Sequence, residues 1–143
     1  MKKIFIFFAI VIIIICIIFG LYINYKANYN RAKKQNLEFE KYYKKEIYGT
    51  DLATIINRAI NSNQKNEVQK NNKGIYQNND KNSINIEIKM IDNDSTYKME
   101  TIYNGGIQNF VKYYNDIKFK CMKIEYHKNT KKVKYMFFEQ ITQ

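Results

Sequence analysis

Few side chains in this sequence have the type and spacing that catalysis requires. Cys121 and His127, the only histidine, are a candidate nucleophile and general base. They are six residues apart, which along an extended strand is about 20 Å, too far for a hydrogen bond unless the chain folds back. We therefore expect Cys121 to be an inert core thiol and His127 to lie in a surface turn.

The acidic residues do not complete a metal site or an acid–base pair. Asp92, Asp94 and Thr96 have the spacing of the first ligands of a calcium loop. The sixth position of such a loop is Tyr97 here rather than glycine, and the twelfth is Tyr103 rather than glutamate. The glutamates are scattered, and no phosphate loop or dinucleotide fingerprint is present. The sequence therefore predicts a protein that is not an enzyme, with no catalytic residues, no metal and no cofactor.

Lysines supply the candidate binding surface. On three predicted strands, five lysines fall opposite the core-facing positions: Lys89, Lys118, Lys120, Lys132 and Lys134. If these strands are adjacent, the lysines form a basic sheet face suited to an anionic envelope polymer or to lipid headgroups. Tyr126 and Tyr135 are predicted to point the other way, so nucleic acid is not an expected partner. An ordinary solvated sheet face explains the same pattern.

The overall charge allows two readings. The chain carries a net charge of +11 at pH 7, which favours anionic partners. It is also dominated by Ile, Lys and Asn and lacks Trp and Pro, a bias that AT-rich bacterial coding produces. In that case lysine simply replaces other polar residues on a solvated surface.

The elements that position these residues begin with an apolar run. Residues 4–23 contain no charged side chain and would form a helix of about 30 Å, the thickness of the hydrocarbon layer. A secretory signal has a shorter apolar region and ends in a small-x-small cleavage site, whereas this run ends in Phe19-Gly20-Leu21. We predict an uncleaved, single-pass transmembrane anchor that follows a short tail, residues 1–3.

The charges that flank the anchor leave its orientation open. Lys26, Arg31, Lys33 and Lys34 follow it, which by a literal positive-inside count places the C-terminal side in the cytoplasm. The short tail nevertheless has the form of a signal-anchor, and a long domain translocates largely regardless of its charge. We predict a cell-membrane protein whose C-terminal domain is extracytoplasmic.

Two helical segments are predicted next. Residues 24–48 carry apolar side chains at roughly helical spacing and are predicted to continue the anchor as a polar helical stalk. Gly49 ends this stalk, and Thr50 is a good N-cap for a short second helix. That helix has one apolar face, formed by Leu52, Ile55, Ile56, Ala59 and Ile60.

The remainder of the domain, 49–143, mixes strands with a further helix. "INIEIKMI" alternates as a half-buried strand, and 117–126 and 132–140 form a hairpin with a bulge near Cys121. Residues 98–114 match a helical stripe and are predicted as a helix, but Gly105-Gly106 favours a bend or a break, so the sequence leaves open whether they form one helix. The fold class is α+β: a transmembrane helix continuing as a stalk, then a short helix and a further helix packed on an antiparallel sheet of about three to five strands.

Two stretches carry a resemblance. "EIYGTDLATIINRAIN" and "IKFKCMKIEYHKNTKKVKYMFFEQ" look similar to small, uncharacterised single-pass membrane proteins of AT-rich Gram-positive bacteria. "YGTDLATII" after a membrane helix is also loosely similar to pilin-like proteins of tight-adherence type secretion clusters, over residues 49–63. The resemblance supplies no functional residues. The anchor, the stalk and the absence of catalytic residues lead us to expect a membrane-anchored extracytoplasmic interaction or structural module, such as an accessory subunit of an export or pilus-like assembly, with an envelope protein as its partner.

Overall fold

The computed structural model describes residues 2–92 and 94–141. The helices are α1 (Lys2–Glu40), α2 (Gly49–Lys65), α3 (Met99–Asn104) and α4 (Ile107–Tyr114). The strands are β1 (Glu46–Tyr48), β2 (Asn85–Lys89), β3 (Thr96–Lys98), β4 (Lys118–Tyr126) and β5 (Val133–Gln140). This arrangement confirms the predicted α+β class, with an N-terminal apolar helix and further helices packed on a sheet.

The five strands form one sheet in the order β1-β4-β5-β2-β3. All neighbours are antiparallel except β2 and β5, which run parallel. Alternate residues of the central strands enter the core, among them Ile86, Ile88, Met136 and Phe138. The helices cover this inner face, while the outer face of the sheet carries the remaining, mostly polar residues.

Helix α2 supplies the other half of the core. Leu52, Ile55, Ile56, Ala59 and Ile60 are all buried, as their spacing predicts. The predicted start is wrong by two residues, because the helix begins at Gly49 and its N-cap is Tyr48, which makes no side-chain cap hydrogen bond. The N–H of Gly49 donates to the carbonyl of Ile117 at 3.0 Å, so this backbone junction replaces the expected Thr50 cap.

Helix α1 has two dissimilar parts. Its side chains from Ile4 to Ile23 are largely exposed and apolar, and the helix is long and apolar enough to cross a membrane. Its last turns instead enter the domain, because Ala32, Asn36 and Phe39 are buried. The predicted stalk, 24–48, is therefore helical only as far as Glu40, and its end forms β1 rather than more helix.

Two buried asparagines tie helices to strands. The Asn36 Nδ2 donates to the carbonyl of Lys131 at 2.7 Å, and the N–H of Val133 donates to the Asn36 Oδ1 at 2.9 Å. Asn63 in α2 makes the same pair of bonds to Ile84, at 2.7 and 2.8 Å. Each carboxamide thus satisfies one backbone donor and one backbone acceptor, as a neighbouring strand would.

Residues 98–114 do not form one bent helix. The segment divides into the end of β3, α3 and α4, with the break at Gly105 and Gly106, where Gly106 has φ of 94°. The hairpin of β4 and β5 is confirmed, and its register shifts between Cys121 and Lys123, as the bulge near Cys121 predicts. A second shift lies between Glu125 and Tyr126.

Gly49 packs so closely that we expect an alanine there to be destabilising. A Cβ at Gly49 would fall on the carbonyl oxygen of Tyr114, a backbone atom that cannot rotate away. Gly49→Ala should lower the free energy of unfolding by about 1–3 kcal/mol or more. Denaturant unfolding of the full chain in mild detergent measures this. Gly20→Ala is the control, because nothing lies within 4 Å of its new Cβ; equal midpoints for the two variants would contradict the packing.

Candidate anionic-partner surface

Three of the five candidate lysines lie on the outer face of the sheet, but carboxylates alternate with them. Lys120 lies opposite Glu46 in β1 and opposite Glu139 in β5, and Glu139 in turn lies opposite Lys89 in β2. The Lys118 Nζ is 3.5 Å from a carboxylate oxygen of Glu46. The outer face therefore carries alternating positive and negative side chains rather than a uniformly basic surface.

Further polar contacts occupy the same face. Lys89 pairs with Asp94 at 3.1 Å, and this partner raises the pKa of Lys89. Lys123 pairs with Glu125 at 2.6 Å. These pairs are exposed to solvent, so each contributes little to stability. They do neutralise the lysines locally, so an anionic partner would have to displace existing carboxylates.

The predicted direction of Tyr135 is wrong. Its hydroxyl donates to a carboxylate oxygen of Glu87 on the outer face at 2.9 Å. Burial raises the pKa of the Tyr135 hydroxyl, and this hydrogen bond is the next largest cause of the increase. The Lys123 Nζ also lies 5.9 Å from the centre of its ring. The reason is the register shift within β5, where Lys134 is an extra residue between buried Val133 and Tyr135, so that Tyr135 turns to the outer face.

The other two candidate lysines are not on this face with them. Lys132 precedes β5 and lines a groove between α1 and α2, together with Arg31, Arg58 and Lys65. Lys134 lies at the second register shift, between Val133 and Tyr135. The structure therefore brings Lys89, Lys118 and Lys120 together and separates Lys132 and Lys134 from them.

A more uniformly basic surface lies where α1 meets the hairpin turn. We call it the basic collar: Arg31 and Lys33 of α1 and Lys128, Lys131 and Lys132 of the turn, which line grooves on both sides of the helix. Within the described ranges, 2–92 and 94–141, none of the five forms an ion pair within 4.0 Å.

Carboxylates border only the far end of the collar. Glu38 and Glu40 line the same grooves, but they lie in the last turn of α1, away from the apolar run. The groove nearest that run is lined by Tyr25, Asn28, Tyr29 and Arg31 with residues 129–132, and it contains no acidic residue. Sequence reasoning missed this surface. The clustered cations of "NRAKK" and "HKNTKK" are its only signal, because their meeting depends on the packing of α1.

Cys121 and His127 are both internal. Cys121 is fully buried, as expected, and burial raises its thiol pKa to about 11. The expectation that His127 lies on the surface is wrong, since the side chain is only 2% exposed. Its Nε2 lies 2.8 Å from the Ser83 carbonyl, which can only accept, so Nε2 carries the proton. The His127 backbone closes the turn, while the imidazole ring of His127 is buried beneath the turn.

Comparison with known proteins and families identifies no relative of this chain. No protein-family model, no curated protein and no solved structure matches this chain. Among the residues that the structure describes, no group of three or more His, Cys, Asp or Glu side chains is arranged to hold a metal ion.

His127 should make the fold sensitive to mild acid. Burial lowers its pKa below the ordinary value of 6.5, and Lys134 and Lys132 act in the same direction, whereas the Ser83 carbonyl and Asp80 oppose them. The neutral ring is therefore favoured in the folded chain, and its contribution to stability is present above pH 6.5 and is lost as pH falls through the lowered pKa.

Thermal unfolding at pH 7.5 and at pH 5.5 measures this loss. We expect the midpoint of the parent chain to fall between these two values, and that of His127→Gln, which retains an N–H donor but cannot titrate, to fall less. An equal drop of the unfolding midpoint in both proteins would contradict the claim that titration of His127 causes the loss of stability.

Proposed function

We propose that this chain is a membrane-anchored interaction module whose α+β domain lies outside the cytoplasm, and that it acts as an accessory subunit of an export or pilus-like assembly. The observation that carries the proposal is α1, one helix of 39 residues that begins in an exposed apolar surface and ends inside the domain. Such a helix transmits the position of the span directly to the folded domain.

The junction supports a positioning role. Asn36 is hydrogen-bonded to the start of β5, and Ala32 and Phe39 are buried on either side of it along the helix. A domain on a flexible tether would need none of these contacts. A subunit that must present its surface at a defined height and angle benefits from all of them, because preorganisation reduces the entropy lost on binding.

The interior supports a role without catalysis. The Cys121 thiol is held in its unreactive form by burial, and the His127 ring is committed to the Ser83 carbonyl. The outer face of the sheet is left for a partner, and it offers both signs of charge and the exposed Tyr48 at its edge. Tyrosine is enriched in the contact surfaces of protein–protein complexes, and the rims of such surfaces are polar.

A single experiment tests both the side of the membrane on which the domain lies and whether the domain contacts a partner protein. A membrane-impermeant maleimide that carries a photo-crosslinker is added to intact protoplasts that express Tyr48→Cys or Lys3→Cys. We expect Tyr48→Cys to be labelled before lysis and Lys3→Cys only after it. Irradiation should then convert labelled Tyr48→Cys into one discrete protein adduct. The native thiols do not interfere, because Cys121 is buried and Cys16 lies in the apolar run.

Lys73→Cys is the matched control, because it is exposed in a separate turn, 71–74. It should be labelled as readily as Tyr48→Cys and give no adduct of the same size. Labelling of Lys3→Cys alone in intact protoplasts would place the domain in the cytoplasm. A labelled Tyr48→Cys that stays a solitary monomer in every growth condition would contradict an interaction module.

A further inference from the structure

The hairpin turn between β4 and β5 lies at the membrane end of the domain. Residues 129–132 border the same groove as Tyr25 and Asn28 of α1. Tyr25 is two residues beyond Ile23, the last of the apolar run, which is about 3 Å along the helix axis. The headgroup layer adds about 5–8 Å to each side of the hydrocarbon core. If α1 spans the membrane, the tip of the turn therefore lies close to the headgroups, whereas its base at Lys131 is hydrogen-bonded to Asn36, about 20 Å beyond Ile23 along the helix axis.

The basic collar lies just above this layer, on the end of the domain that faces the apolar run, so its long side chains and its charge act on the headgroups across a gap comparable to the Debye length of about 8 Å. Arg31 is eight residues beyond Ile23, about 12 Å, and a guanidinium on its long stem reaches back towards the interface. Lys128, Lys131 and Lys132 extend from the turn itself, and Lys33 lies on the opposite groove. The cations thus lie on both sides of α1, above the place where the chain would leave the bilayer.

The charge of this ring is not balanced from within the domain. The loop that packs against the turn brings one cation and one anion, Lys81 and Asp80, and is attached by the Thr130 hydroxyl, which donates to the Lys81 carbonyl at 2.6 Å. It adds no net charge. Five cations without an ion pair within 4.0 Å, among the residues described, leave a local excess of positive charge that attracts anionic groups.

We propose that the basic collar binds the anionic headgroups of the membrane in which α1 is anchored. This inference rests on the proposed anchoring, since the depth of the collar follows from it. It assigns the anionic headgroups to the collar rather than to the sheet lysines. It also gives the contact between collar and headgroups a structural consequence. With α1 fixed to the domain, headgroups held by the collar set the height and tilt of the whole domain above the bilayer.

The test uses the purified full chain in an uncharged detergent. It is mixed with equal amounts of phosphatidylglycerol and phosphatidylcholine, and the lipids that remain bound are counted by native mass spectrometry. We expect the anionic lipid to be retained preferentially, by about fivefold or more, the effect of a single lysine near an anionic surface. The preference should decrease as salt is raised.

Two triple variants locate the site. In the collar variant the changes are Lys128→Gln, Lys131→Asn and Lys132→Gln; asparagine suits Lys131 because its φ is 57°. In the sheet variant they are Lys89→Gln, Lys118→Gln and Lys120→Gln. The collar variant should lose the preference and the sheet variant should retain it, with unchanged thermal unfolding in both.

Several results would overturn the proposal. These are equal retention of the two lipids by the parent chain, and loss of the preference in the sheet variant but not in the collar variant. Displacement of the lipid by soluble polyglycerol phosphate or millimolar inorganic phosphate at constant ionic strength would also do so, because it assigns the collar to a soluble anion. A cytoplasmic domain would refute the proposed sidedness and leave the lipid test valid, since detergent samples have no sides.

Discussion

The architecture depends on the two hydrogen bonds of one buried side chain, Asn36. Its carboxamide completes the backbone pairing at the start of β5, where the Lys131 carbonyl and the Val133 N–H would otherwise be left without partners. An unsatisfied buried backbone group costs about 1–3 kcal/mol, so the helix cannot leave this position cheaply. Everything that follows from a rigid α1, including the position of the collar, depends on this contact.

A second buried asparagine makes the same pair of side-chain to backbone hydrogen bonds within the domain. Asn63 of α2 is fully buried and bonds to both backbone groups of Ile84, the residue before β2. In both places a helix satisfies the end of a strand where no neighbouring strand continues. Buried polar groups of this kind add little net energy when fully satisfied, but they allow only one register. The sheet thus aligns the two longest helices.

Local periodicity was enough to predict the parts of the fold that one element determines. The apolar face of α2 and the alternation of Ile84, Ile86 and Ile88 both reach the core as their spacing requires. The apolar run of α1 and the hairpin of β4 and β5 were equally readable. In each case the pattern extends over several repeats and the burial that it implies lies within one segment.

The sequence did not reveal features that arise between segments. Asn36 looks like one more polar residue of a stalk, because its partners are 95 and 97 residues away along the chain. His127 has the sequence neighbours of a surface turn, but the loop that contains Ser83 covers it. Tyr135 changes face because Lys134 is an extra residue in β5, at a register shift that a simple alternation cannot reveal.

The candidate site shows the same limit. Three sheet lysines were predicted on the correct face, but the carboxylates opposite them come from other strands and became visible only with the register. The collar was missed because it joins α1 to a turn about a hundred residues later in the chain. Surface charge is assembled by topology, whereas core residues are marked by local pattern.

The central claim is that the apolar helix α1 and the domain move as one body. Spin labels at Asn24→Cys and Lys98→Cys, in a Cys16→Ser background reconstituted in lipid nanodiscs, report it through the distribution of distances measured by double electron–electron resonance. A rigid junction predicts one narrow distribution, which Asn36→Leu broadens. A broad distribution in the parent chain, unchanged by Asn36→Leu, would show a flexible tether and contradict the account.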